Sequence, residues 1–233
     1  MWSAHAPPGS SSGQDVLMKS RAACTIETTT IGEAWIAVAR LIMDSGVAST
    51  YDALAMREVL MTTIVVRAPK TTDDVIDRFA DPQRLAWMRA NFSDFSEVAE
   101  LGDADSYATR LRNYAGAGLD QLHWVAERLR SDPLSRSATI TTFQPLSDTS
   151  YIPCISLFDF YLHDGALRLV AYAHSIDFGA KGYANLLELG VIQHQVGAEL
   201  GRPVGSLTLI VKSSHVYDSD AAYMSSVLDS FPG

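Results

Sequence analysis

Residues 151–162 and 166–175 are two mainly apolar runs with strand-like alternation, separated by His163-Asp164-Gly165. Asp-Gly between such runs is a strong local hairpin signal, because both residues tolerate the positive φ that a tight turn between twisted strands requires. The chain then passes through a Gly-containing loop into an apolar-faced helix over residues 184–200, closed by Gly201 and Pro203, and a last strand over 206–217 rich in Leu, Ile and Val. An antiparallel hairpin at the centre, with strands and helices elsewhere in irregular order, argues an α+β fold and not a doubly wound parallel sheet.

The first half of the chain adds helices on this frame. Ile31, Ala34, Trp35, Val38, Leu41 and Ile42 recur at helical spacing over residues 30–45, with a threonine at 28, 29 or 30 as N-cap and Gly46 as the stop. Residues 59–67 read as a strand, and 73–91 as a helix broken at Asp81-Pro82. A further helix is expected over 119–131, with Leu119, Leu122, Val125, Ala126 and Leu129 on its apolar face, then a Thr-rich strand over 138–143. With 233 residues, 47% of them hydrophobic, the chain suits one domain, placed here at residues 25–233 after a disordered tail at 1–24 rich in Ala, Pro, Gly and Ser.

Charge and cysteine usage narrow the function classes. A formal net charge of -9 with no window of clustered Lys and Arg disfavours a nucleic-acid polymer as partner. Two cysteines, Cys24 and Cys154, are not a disulfide framework and imply a reducing, cytoplasmic setting. No segment has the length of a membrane span or the apolar core of a signal peptide, and no His, Cys and carboxylate spacing suggests a metal.

Three places could carry chemistry. Alternation puts Cys154, Ser156, Phe158 and Phe160 on one face of their strand, so Cys154 is either a small core residue or, given a nearby cation or donor, a thiolate nucleophile. His174, Ser175, Asp177 and Asn185 bracket a strand end, a loop and a helix start, where polar groups and helix amides can hold a planar polar ligand or serve as ordinary turn chemistry. His215 and Tyr217 share one face of the last strand.

In order along the chain, Ser106-Tyr107, Asp120-Gln121-Leu122, Asp132-Pro133-Leu134-Ser135-Arg136, Pro153-Cys154, Ser175-Ile176-Asp177 with Asn185 eight positions on, and His215-Val216-Tyr217 resemble the thymidylate synthase and pyrimidine hydroxymethylase family. The resemblance covers residues 106–218, and more weakly 30–69, and is to a divergent, compact member like those found in archaea. It implies a mixed or antiparallel sheet packed with helices in a homodimer, and one-carbon transfer from 5,10-methylenetetrahydrofolate to a small pyrimidine substrate, with either a methyl or a hydroxymethyl product. By the same resemblance Cys154 is the nucleophile and Asp177 acts at the folate. Asn185 reads the pyrimidine edge, and His215 with Tyr217 binds the sugar. Ser175 and Arg136 contact the phosphate, Arg136 from across the dimer, and His174 is a further substrate-binding position.

The departures from the family pattern are as informative. His174 and Ser137 stand where the family carries arginines, and no arginine lies between Val47 and Arg57 to match a third. Fewer guanidinium contacts mean that the phosphate is held by fewer groups, such as Arg57 or Lys181, or that the substrate is a nucleoside, a base or another anion. A protonated His174 could also help ionise Cys154. The family's glutamate falls at Arg84 in Arg84-Leu85-Ala86-Trp87, leaving Asp81, Glu58 or Glu97 as the candidate acid.

Overall fold

The computed structural model describes residues 24–95, 97–149 and 151–231. The expected tail therefore lies, apart from Cys24, outside the described residues. Elements run β1 (Cys24–Thr28), α1 (Ile31–Ser45), β2 (Val47–Tyr51), β3 (Leu54–Val66), α2 (Asp74–Phe79), α3 (Pro82–Ser93), β4 (Glu97–Val98), β5 (Ala104–Asp105), α4 (Tyr107–Arg112), α5 (Gln121–Ser131), β6 (Thr139–Thr141), β7 (Ile155–His163), β8 (Ala166–Asp177), α6 (Gly182–Leu200), β9 (Val204–Tyr217) and α7 (Asp218–Asp229). The large sheet has seven strands in the order β1-β3-β9-β8-β7-β6, with β2 hydrogen-bonded to β3. It is mixed: β8 lies parallel to β9 and β1 to β3, while the other pairs are antiparallel. The expected α+β class is the one found.

Local chemistry explains the boundaries. Thr30 caps α1 in a reciprocal box with Glu33, and Asp81 caps α3 at the break between α2 and α3. The β7–β8 turn has positive φ at Asp164 (51°) and Gly165 (76°), as the Asp-Gly pair predicts. Gly201 closes α6 with a left-handed φ of 69°. Ile64, Val66, Leu167, Leu169, Ala171, Leu207, Leu209 and Val211 point inward from the sheet and are fully buried beneath the helices, with Trp35 and Tyr183 among the largest core side chains. The alternate row, including Val65, Val170, Tyr172, Thr208 and Ile210, is half-buried.

Two sequence expectations shift. Leu119 is 43% exposed and precedes α5, because the Asp120 carboxylate accepts hydrogen bonds from the Leu122 and His123 amides and starts the helix at Gln121. A register shift between Ile155 and Leu157 resets the alternation of β7, so that Ile155, Phe158 and Phe160 enter the core. Cys154 precedes the strand and does not share the Phe158 and Phe160 face.

Candidate active site

Parallel neighbours β8 and β9 end side by side, with Asp177 in register with His215 and Ser175 with Ser213. The carboxyl ends of parallel strands followed by a helix start are a recurrent place for ligands, because loops, strand ends and helix amides converge there. Since β7 runs antiparallel to β8, its beginning reaches the same end, and the Cys154 carbonyl accepts the His174 amide at 3.0 Å. The sheet thus brings together Cys154, His174, Ser175, Asp177, His215 and Tyr217, and α6 adds Asn185 one turn inside its start.

Arg136 is not brought there. It is exposed in the loop before β6, whose pairing of Thr139 with Asp159 and Thr141 with Leu157 carries the preceding loop toward the distal end of β7. Cys154 and the point on β7 opposite Arg136 are some eight residues apart, a span of about 25 Å at strand rise.

Cys154 is half-buried and held from behind. The Tyr107 hydroxyl accepts the Ile155 amide at 2.9 Å, and its ring stacks on Phe92 with centroids 4.2 Å apart. Arg110 forms a buried bidentate pair with Asp148 (2.7 and 2.8 Å) and also donates to the Thr142 carbonyl, fixing the segment that leads to the cysteine. Burial pushes the Cys154 thiol up, whereas Lys181 and a hydrogen bond from Tyr151 pull it down; Asp177 opposes them.

Asp177 accepts the Gly179 and Ala180 amides at 2.9 and 3.2 Å, a tight turn that leads into α6. Gly179 is tightly packed: a Cβ there would lie 3.0 Å from Asp220 and 3.1 Å from Val216. Burial and the neighbouring Asp220 carboxylate raise the Asp177 pKa to about 6, against the two amides and Lys181. Asp220 in turn is bound to Arg84 at 2.9 Å.

His215 is buried, with its Nδ1 3.4 Å from the Ser175 hydroxyl and its ring edge-on to Tyr217. Burial lowers its pKa, leaving it neutral at pH 7. His174 is also lowered, by burial and by Lys212, so it is not the cation that could ionise Cys154. Asn185 commits one amide N–H to the Lys181 carbonyl at 3.1 Å. Among the candidate acids, Asp81 is engaged as the α3 cap and with Arg84, while Glu58 accepts a hydrogen bond from Ser213 and pairs across the sheet with His215. The Glu97 side chain lies outside what the structure describes.

Tyr151 and Asp220 escape prediction, Lys181 is expected only as a possible phosphate ligand and Trp87 only as part of the Arg84–Trp87 match, because the four come from separate segments with no motif spacing between them. The one mixed cluster of potential metal-ligating atoms among the described residues, His123, Glu127 and Glu199, is exposed on α5 and α6 and is tied up in pairs with Arg130 and within itself. Among the described residues, no helix is long and apolar enough to cross a membrane.

A mixed sheet thus carries a cysteine, a carboxyl of raised pKa and a buried histidine of lowered pKa at one strand end. A family profile described as "Thymidylate synthase" matches residues 58–232, and the chain belongs to the thymidylate synthase family. It is 31% identical over 203 residues to a Methanosarcina barkeri protein named "Putative thymidylate synthase", spanning 84% of this chain and 90% of that one. A Methanothermobacter thermautotrophicus protein of the same name is 30% identical over 212 residues, covering 84% and 94%. A "Deoxyuridylate hydroxymethyltransferase" from Bacillus phage SP01 is 35% identical over 145 residues, 56% of this chain and 37% of the phage protein.

Proposed function

We propose that the protein transfers a one-carbon unit to ring carbon 5 of a pyrimidine nucleotide or nucleoside through a covalent Cys154 adduct. The observation that carries this reading is the convergence of Cys154, Asp177, Asn185 and His215 at one end of the sheet in a chain of this family. The Cys154 thiolate donates its electron pair to carbon 6, and the carbon 5–carbon 6 π electrons move toward the carbonyl at carbon 4. Carbon 5 thereby becomes nucleophilic, and one hard substitution divides into easier steps. Asn185 offers both a donor and an acceptor to the ring edge, and His215 with Tyr217 offers hydrogen bonds to a sugar hydroxyl.

A reduced folate fits the donor set. A carboxyl with pKa about 6 holds or releases a proton near neutral pH, which suits Asp177 for a nitrogen-rich heterocycle. When bound, 5,10-methylenetetrahydrofolate supplies the one-carbon unit, and Asp177 is the residue that would hold it. Whether carbon 5 ends as methyl or hydroxymethyl depends on how water and hydride compete in the site; the names of the relatives span both outcomes.

The functional unit is a homodimer working in the cytoplasm with reduced thiols. Arg136 lies at the far end of β7 from its own Cys154, which suits a residue that serves a second copy's site. Mixing Arg136→Ala with Cys154→Ser chains should regain activity in hybrids, and no regain would overturn the shared site. A second reading rests on Arg84, which stands where the family carries a carboxylate and is bound to Asp220: a homologue that binds pyrimidines without turnover. Product mass after incubation with uridine and deoxyuridine monophosphates and methylenetetrahydrofolate separates the two. Conversion that Cys154→Ser abolishes supports the enzyme; calorimetric binding without conversion supports the second reading.

A further inference from the structure

We propose that Glu188, one turn beyond Asn185 on α6, is the general acid of this chain, giving its proton to the pyrimidine carbonyl at carbon 4 as the Cys154 sulfur bonds to carbon 6. This rests on the reading that Cys154 adds to a pyrimidine ring, and it supplies the carboxyl that the family pattern lacks at Arg84.

The case begins with which carboxyls are already engaged. Asp81 caps α3, and Glu58 accepts from Ser213. Glu188 has no such commitment: its side chain is 4% exposed, and its Oε1 is the one carboxylate oxygen among the described residues that is buried without a hydrogen bond. The Arg89 guanidinium is its nearest charge, at 3.7 Å and so beyond hydrogen-bond reach. A buried acceptor left open is costly, and such groups concentrate where a proton or a ligand is to be held. Packing gives the carboxyl no other purpose, since Leu186, Leu187 and Leu189 beside it are buried core residues.

Helix geometry and contacts place it at the site. At 3.6 residues per turn, Lys181, Asn185 and Glu188 fall within an arc of about 60° on α6, so the carboxyl and the amide that reads the ring edge share one face. Helix α3 covers that face: the Trp87 ring centre lies 4.5 Å from the Lys181 Nζ, and Arg89 meets Glu188 one turn further along α6. The same helix reaches the nucleophile's strand. Asn91 accepts the Tyr107 amide at 3.0 Å, Phe92 stacks on the Tyr107 ring, and the Tyr107 hydroxyl accepts the amide of Ile155, the neighbour of Cys154. Thus α3 ties the carboxyl, Asn185 and the Cys154 segment together from one side.

The proton is available there because burial raises the Glu188 pKa against the pull of Arg89. Arg89 is the charged group acting on it from the elements packed against α6. Arg84 on α3 is bound to Asp220, Glu33 on α1 to its own cap and Arg130 on α5 to Glu127, while the inward row of β8 and β9 is apolar. As sulfur bonds to carbon 6, the carbon 5–carbon 6 π pair forms a carbon 4–carbon 5 double bond. The carbonyl π pair moves to oxygen, which takes the proton and leaves Glu188 a carboxylate beside Arg89. When the carbonyl re-forms, the oxygen returns the proton to Glu188.

The test is tritium release from carbon 5 of uracil nucleotides and nucleosides with methylenetetrahydrofolate, using the full chain. Glu188→Gln keeps the shape and loses the proton, so it should cut the rate at saturating pyrimidine about a hundredfold or more, with calorimetric affinity for the pyrimidine changed less than about threefold. Glu188→Asp, which retains an acid, should recover part of the rate. Arg89→Met leaves the acid in place without its cation and should move the alkaline limb of the rate up by about half to one pH unit, a shift that a packing role would not produce. Wild-type release matched by folded Glu188→Gln, or an alkaline limb unmoved in Arg89→Met, overturns the assignment of Glu188 alone. An affinity that falls in step with the rate in Glu188→Gln makes Glu188 a binding group and overturns its role as acid. No release from the wild-type chain overturns the proposed reaction and this assignment together.

Discussion

The two walls of the site are built on opposite principles. Behind Cys154 the charged groups are buried and paired: Arg110 and Asp148 are each under 5% exposed at the side chain and bidentate, and Tyr107 anchors the first residue of β7. Facing it, the charges of Lys181, Asp177, Asp220 and Arg84 come from three helices and a strand end, and Arg84 is 36% exposed at its side chain. A buried, ion-paired wall fixes where Cys154 sits. A half-wet wall of unequal charges sets which groups hold protons, because charge interactions there remain adjustable.

Breaking the buried wall should cost the most stability. Arg110→Met leaves Asp148 buried without its partner and should lower unfolding free energy by about 3–5 kcal/mol, read by urea denaturation. A loss below about 1 kcal/mol would mean that water replaces the guanidinium.

The charged wall should respond in the opposite direction. Asp177 has a folded-state pKa of about 6, above the ordinary 3.8, so its charged form is disfavoured by folding. This penalty is absent below about pH 4, grows as pH rises toward 6 and is complete above it. Asp177→Asn keeps an oxygen for the Gly179 and Ala180 amides, and should therefore stabilise the protein by up to about 3 kcal/mol at pH 7 while abolishing turnover. The gain should vanish near pH 4; a gain that persists there would point to a cause other than ionisation.

Smaller shifts sharpen the same contrast. Asp220→Asn should lower the Asp177 pKa by about half to one unit, and Arg84→Ala, which frees the Asp220 carboxylate, should raise it by a similar amount. The carbon-13 carboxyl resonance of Asp177 followed against pH reads both. Shifts of the same sign in the two variants would contradict the Arg84–Asp220–Asp177 arrangement.

The difference between the walls also explains what was legible in the sequence. Cys154, Ser175, Asp177, Asn185, His215 and Tyr217 lie on or beside long strands and a long helix whose periodicity is strong, so the elements that carry them were readable, while only the family resemblance joined them into one site. The capped helices α1 and α3 and the Asp-Gly turn were readable for similar local reasons. The short α4 and the strands β1 and β2 were not, since five or six residues of mixed polarity show no period. The β7 register shift defeats alternation because it inserts a residue that only strand pairing reveals. Lys181 beside Trp87, and Arg84 beside Asp220, are long-range pairings for which sequence spacing carries no signal.

The proposed reaction begins with addition of the Cys154 thiolate to a pyrimidine ring. It is tested most directly by release of tritium from ring carbon 5 across UMP, dUMP, CMP, dCMP and their nucleosides, with and without methylenetetrahydrofolate. Release is expected from at least one of these and is abolished in Cys154→Ser. Release that persists in Cys154→Ser, or none from any of them with the protein folded, would contradict it.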